Sequence, residues 1–120
     1  MSALDDTLDD LAGFAWIPGV DQILDSIRTA KNAAARGELS LETAQTLLTL
    51  LGNPAGPDLP EALAGLATDV TNPATNPTLN SLDPDTAKDV QRLGEQHARD
   101  TADYTPRDHT NEAAALISGI

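Results

Sequence analysis

Residues 20–52 read VDQILDSIRTAKNAAARGELSLETAQTLLTLLG, and this stretch decides the fold class. Its first half repeats apolar side chains every three or four residues from Val20 to Ala34, which is the spacing of one helix face. Gly37 is a favourable stop for that helix, and Ser40 is a favourable N-cap for the next one. Because so few residues join the two helices, the stretch predicts an antiparallel helical hairpin.

Similar apolar stripes flank the hairpin on both sides. An earlier stripe is preceded by Ser2 as a possible N-cap, and a later one is preceded by Asp58 in the same role. Together the stripes predict an all-α fold, with a small helical bundle over residues 1–70 whose core is built from Leu, Ile, Val and Ala. The stripes outside the hairpin comprise Leu4, Leu8, Leu11 and Ala15 in the first helix, and Leu59, Leu63, Leu66 and Val70 in the later one.

The second half of the chain has a different character. Residues 71–82 contain two Asn-Pro pairs and little apolar mass, which predicts an extended, solvated linker. Asp83-Pro84 then begins a long polar helix, and residues 83–120 are expected to form a helical arm with an apolar C-terminal anchor. The polar helix is expected to gain order from a partner or by lying along the first half of the chain. Five large apolar side chains over residues 71–104 are too few to order that segment by burial within the chain, so we expect contacts outside the chain to order the residues from 71 onward.

The charge restricts the partners. The chain carries 14 Asp and 5 Glu against only seven Lys and Arg, giving a net charge of −12. Binding to nucleic acid or to an anionic membrane surface needs clustered basic residues, so neither is expected as a direct partner. The excess of Asp and the presence of only two lysines are typical of proteins from extreme halophiles, although a GC-rich genome encoding an ordinary acidic protein gives a similar composition.

The sequence lacks the residue patterns that catalysis or metal binding requires. It has no cysteine, and His97 and His109 lie twelve positions apart with a proline between them, which does not give metal-ligand geometry. A calcium loop counted from Asp83 has Lys88 where glycine is required and Gly94 where a carboxylate is required. We therefore predict a protein that is not an enzyme and has no cofactor or metal. We also expect no signal peptide and no membrane-spanning segment.

Several apolar residues are candidates for an interface. Trp16 lies beside a Pro-Gly turn, where it fits either an interface anchor or the seal of a small core. Isolated glycines inside helices, such as Gly65 and Gly94, fit either close helix packing or weak spots in the helix better than ligand binding. The candidate interface residues are Phe14, Trp16, Ile17, Val90, Leu93, Tyr104, Leu116, Ile117 and Ile120.

The segment ARGELSLETAQTLL at residues 35–48, followed by LLGNP at residues 50–54, resembles a helix-turn-helix stretch of tailed-virus portal and other virion proteins. The resemblance implies a small virion component, such as a minor capsid, capsid-stabilising or head-tail connecting protein. With the halophile-like composition, it implies a virus of a salt-loving archaeon. The expected location is then the virion or the host cytoplasm, and the expected partners are other protein subunits in a homo- or hetero-oligomer.

Two other functions agree with the same residues. An acidic regulatory module could occupy the basic nucleic-acid-binding surface of its target and so inhibit or mask it. A third hypothesis is that the chain is a small accessory subunit of an enzyme.

The acidic composition generates a prediction about salt. If the composition is halophilic, the helix content of the purified protein should rise as salt increases from about 0.1 M to molar levels, because the screening length falls from roughly 10 Å to roughly 3 Å. Circular dichroism at constant pH measures this. A flat response would leave the halophile interpretation without support.

Overall fold

A computed structural model describes residues 2–53, 56–102 and 106–119. Over these residues the chain is all-α, as the sequence predicts, and no strand occurs among them. Caps mark the predicted boundaries: Asp58 caps a helix, Pro84 begins another, and Gly37 adopts the left-handed conformation with φ of 70°. The helices are α1 (Ala3–Leu11), α2 (Val20–Ala35), α3 (Leu41–Leu51), α4 (Leu59–Val70), α5 (Pro84–Ala102) and α6 (Pro106–Ser118), with 3-10 turns at Ala12–Phe14 and Pro77–Ser81.

Contacts between the helices divide the chain into two compact units, Met1–Ser40 and Leu41–Ile120. This division differs from the predicted boundary at residue 70. The reason is that α3 packs with α6 and α4 packs with α5, so two helices of the first half belong with the second half. The helices α2 and α3, predicted as a hairpin, fall in different units.

The first unit combines a small core with an ion pair between α1 and α2. Ser2 caps α1, since its hydroxyl accepts from the Asp5 amide at 3.2 Å and its own amide donates to the Asp5 carboxylate at 3.1 Å. Lys31 of α2 donates to the same carboxylate at 2.5 Å, and this hydrogen bond is the main reason that the pKa of Asp5 falls to about 2. Leu8 and Leu24 are the buried leucines of the unit.

In the second unit, α4 and α5 pack closely through small residues. A Cβ atom on Gly94 would lie 1.8 Å from the Thr71 hydroxyl oxygen, so this contact requires glycine. Ala64 of α4 is buried and Ala98 of α5 is half-buried. The leucine stripe of α4, which the periodicity predicts to lie in the core, is instead exposed, because the side chains of α4 that face α5 are the small ones.

The last helix packs along α3. Thr110 of α6 donates from its hydroxyl to the carbonyl of Gly52, just after α3, at 3.1 Å. Ala114 is buried and Ile117 is half-buried, whereas Leu116 points outward with 73% of its surface exposed. The predicted arm therefore lies along helices from the first half of the chain, whereas the count of its apolar side chains predicted that contacts outside the chain would order it.

The connection over residues 71–82 is folded into turns, which differs from the predicted extended linker. The Thr75 hydroxyl donates to the carbonyl of Asp69 at 2.7 Å, and the side-chain amide of Asn76 donates to the carbonyl of Val70 at 2.8 Å. The last carbonyls of a helix have no partner within the helix, so Thr and Asn side chains just beyond α4 satisfy them. The same polar residues that indicated a solvated linker thus act as a cap.

The division into units predicts the pattern of limited proteolysis. Proteinase K should cut the purified chain first within residues 36–40, at the boundary between the two compact units, and leave a resistant fragment of residues 41–120. Mass spectrometry of the fragments identifies the cut. A resistant fragment ending near residue 70 would contradict the pairing of α3 with α6 and of α4 with α5.

Candidate interaction surface

A buried ion pair joins three helices of the second unit. Asp58 accepts two hydrogen bonds from the guanidinium of Arg107, from Nε at 2.6 Å and from Nη2 at 2.8 Å. It also accepts from the backbone amides of Asn53 and Glu61, each at 2.8 Å. The remaining Arg107 nitrogen, Nη1, donates to the carbonyl of Thr101 near the end of α5. The Asp58 side chain has no exposed surface, and the Arg107 side chain is 7% exposed.

The surroundings stabilise both charges. The hydrogen bonds from Arg107 hold the pKa of Asp58 well below its usual value of 3.8, and the two backbone amides act in the same direction against the opposing effect of burial. The carboxylate in turn raises the pKa of Arg107. The carboxylate accepts four hydrogen bonds, which use its acceptor capacity, so it is unsuited to act as a general base.

The sequence points to Asp58 but not to Arg107. Asp58 is predicted as an N-cap, and it has this role in the structure. Arg107 lies in the first turn of α6, where the positive end of the helix dipole disfavours a cation. A basic residue at that position is therefore a signal that an acidic partner lies nearby, although it does not identify the partner.

A cavity of about 380 Å³ lies beside this ion pair, on one side of the α4–α5 pair. Its walls include Glu61, Ala64 and Gly65 from α4 and Ala98 and Ala102 from α5. The walls contain Arg107 as well, but its guanidinium donates to Asp58 and Thr101. Within the described residues, no group of three or more His, Asp or Glu side chains is placed to hold a metal ion, and both His97 and His109 are exposed.

The most distinctive surface of the second unit is a row of exposed apolar side chains on α4. These residues recur at positions i, i+4, i+7 and i+11, so they form one stripe along three turns. Leu93 of α5 is exposed to a similar extent. We call this group the α4–α5 apolar face: its members are Leu59, Leu63, Leu66, Val70 and Leu93, with exposed fractions of 47%, 56%, 53%, 52% and 57%.

The predicted interface residues differ from one another in how far they are exposed. In the first unit, Trp16 is 78% exposed, so it does not seal the core, and Phe14 and Ile17 are also exposed. In the second unit, Leu93 and Leu116 are exposed, whereas Val90 and Ile117 are half-buried. Tyr104 and Ile120 lie outside the described residues. The stripe of α4 was not among the predicted interface residues, because its periodicity is equally typical of a core helix.

Comparison with protein-family models, with curated proteins and with solved structures found no match. Among the described residues, no helix has the length and apolar character needed to cross a membrane.

The ion pair generates a prediction for Asp58→Asn. Removing the negative charge leaves the buried Arg107 without a counter-charge, so the free energy of unfolding at pH 7 should fall by about 3–5 kcal/mol. Because the folded-state pKa of Asp58 lies below its unfolded value of 3.8, wild type loses this stabilisation as pH falls below about 4. The stability difference between wild type and variant should therefore shrink from pH 4 towards pH 2. Urea unfolding at each pH, followed by circular dichroism, measures it.

Asp69→Asn is the matched control, because Asp69 lies on the same helix and is exposed. It should change the free energy of unfolding by less than about 0.5 kcal/mol. Equal stabilities of the two variants would show that the ion pair does not stabilise the fold.

Proposed function

We propose that the chain is a non-catalytic component of a larger protein assembly, where it contributes binding surfaces. The observation that carries this proposal is the α4–α5 apolar face. A soluble monomer rarely exposes a contiguous apolar patch of this kind, and such patches mark interaction sites. The exposed Trp16 and Phe14 give the first unit a surface of the same type, since Trp is enriched among the residues that dominate interface energies.

The proposed setting is a minor capsid-associated or head-tail connecting component of a tailed virus of a halophilic archaeon. Its basis is the resemblance of residues 35–48 to virion proteins, together with the excess of Asp over Lys. In that setting, the chain is located in the virion or the host cytoplasm.

A second candidate function is that of an acidic inhibitor bound to a basic nucleic-acid-binding protein. The net charge of −12 favours it, because such a chain is attracted to surfaces that bind phosphates. Both functions require a protein partner, but they differ in the composition of the complex.

The proposal is tested on the protein in native extracts of its source. After nuclease treatment, which removes complexes held together by nucleic acid, sedimentation with quantitative mass spectrometry should find the chain in a complex several times heavier than its 12.5 kDa. Co-sedimentation with capsid or tail proteins in fixed stoichiometry is the expected result. A complex with one basic nucleic-acid-binding protein would favour the second candidate, and a free monomer would contradict both.

A further inference from the structure

The α4–α5 apolar face lies on the opposite side of the helix pair from the cavity. Thr71 at the end of α4 meets Gly94, while the earlier Ala64 lies with the later Ala98 at the cavity, so the helices are antiparallel. The two helix axes define a plane that divides the pair into two sides. In an antiparallel pair, the residue just after a contact position in sequence lies on the same side of this plane on both helices, and the residue just before it lies on the other side.

The residues that line the cavity show which side of the helix pair it occupies. Gly65 follows the buried Ala64, Ala102 follows Thr101, and both line the cavity. Leu63 precedes Ala64 and Leu93 precedes Gly94, so both leucines lie on the other side, away from the cavity. The stripe of α4 and Leu93 therefore form one continuous surface.

Acidic residues border this surface on both helices. Asp89 and Asp100 lie four residues before and seven residues after Leu93, which places them on the same face of α5. Asp69 comes three residues after Leu66 and borders the stripe of α4. All three aspartates are exposed.

Basic residues are absent from this surface. The helix α4 contains no Lys or Arg. The basic residues of α5, Lys88, Arg92 and Arg99, lie roughly 100° or more around the helix from Leu93. Arg92 reaches Asp89 only at 3.9 Å, with both side chains largely exposed, and such a pair contributes little.

We propose that the α4–α5 apolar face binds an amphipathic α-helix of a partner protein, whose apolar stripe covers the leucines and whose Lys or Arg residues lie opposite the bordering aspartates. The inference rests on the proposed function and names the chemistry of the partner. The stripe from Leu59 to Val70 rises about 16 Å, which is enough to receive about three turns of helix.

Charge complementarity selects this occupant over a second copy of the chain. Two copies joined through the same face would bring their bordering aspartates together, and each copy carries a net charge of −12. Like charges across an interface oppose association, whereas opposite charges speed the encounter and fix the register.

The test uses the full chain and a labelled 18-residue helical peptide with a leucine stripe flanked by lysines. Two further peptides replace every lysine by Gln or by Glu. Fluorescence anisotropy at about 0.1 M salt should show the lysine peptide binding at least tenfold more tightly than the others, with the difference shrinking at molar salt. Leu63→Gln or Leu66→Gln should weaken binding about tenfold, as loss of a central apolar contact does.

Matched controls separate this surface from general attraction to an acidic protein. Leu116→Gln changes a leucine on α6 that is more exposed than Leu63, and Asp10→Asn changes an exposed aspartate on α1; neither should alter binding. Asp100→Asn should weaken binding of the lysine peptide while leaving the glutamine peptide unaffected. Circular dichroism of each variant confirms that the helices remain.

Three outcomes would overturn the inference. They are no saturable binding of the lysine peptide, equal effects of Leu63→Gln and Leu116→Gln, or a sedimenting dimer of the chain that Leu63→Gln dissociates, which would make a second copy the occupant. A large native complex combined with any of these results would leave the proposed function standing and reject only this partner. A free monomer in native extracts would reject the function even if the peptide bound.

Discussion

The buried pair of Asp58 and Arg107 is the interaction on which the second unit depends. The two residues are 49 positions apart in sequence, and they connect the start of α4 to the start of α6, while a third hydrogen bond from Arg107 reaches the end of α5. Removing two charges from water costs several kcal/mol for each ion. The bidentate geometry, two backbone amides and one carbonyl offset that cost, and the pair fixes where three helix ends meet.

With the helix ends fixed, small residues determine how closely the helices approach. Gly94 against Thr71 allows contact that any side chain at position 94 would prevent, and the interface of α4 with α5 is continued by alanines. Such packing gives many close contacts but buries little apolar area per residue. The larger leucines of α4 remain outside this interface. Because small residues form the contact between α4 and α5, an apolar face is left available to a partner.

The sequence predicts the helices better than it predicts their partners. Capping chemistry acts within a few residues, so Asp58 and the Asp83-Pro84 pair mark helix starts that the structure confirms. The pairing of α3 with α6 depends on contacts between distant residues, and periodicity carries no information about them. The pairing of Asp58 with Arg107 could not be predicted from the sequence either. An aspartate at an N-cap is already explained by its own helix, so its presence does not indicate that an arginine pairs with it.

Periodicity failed on α4 for a specific reason. The helix has two candidate faces, a leucine stripe and a row of small residues that includes Ala64, and hydrophobicity alone favours burial of the leucines. The structure buries the small face because Gly94 on α5 permits a close approach there. A stripe that repeats every three or four residues shows which side chains share a face, but the shape of the opposing helix determines which face is covered.

An exposed stripe does not weigh against folding, because its side chains are also exposed in the unfolded chain. It does leave free energy available for association. Full burial of one such side chain yields about 1.5–3 kcal/mol, so five that are about half exposed retain roughly 4–8 kcal/mol. Association itself costs about 4–15 kcal/mol in lost freedom of motion. The apolar stripe of the partner is buried in the same contact and adds a similar amount, so burial on both sides can offset that cost. The bordering aspartates then decide which apolar helix binds, because they favour a partner of opposite charge and oppose one of like charge.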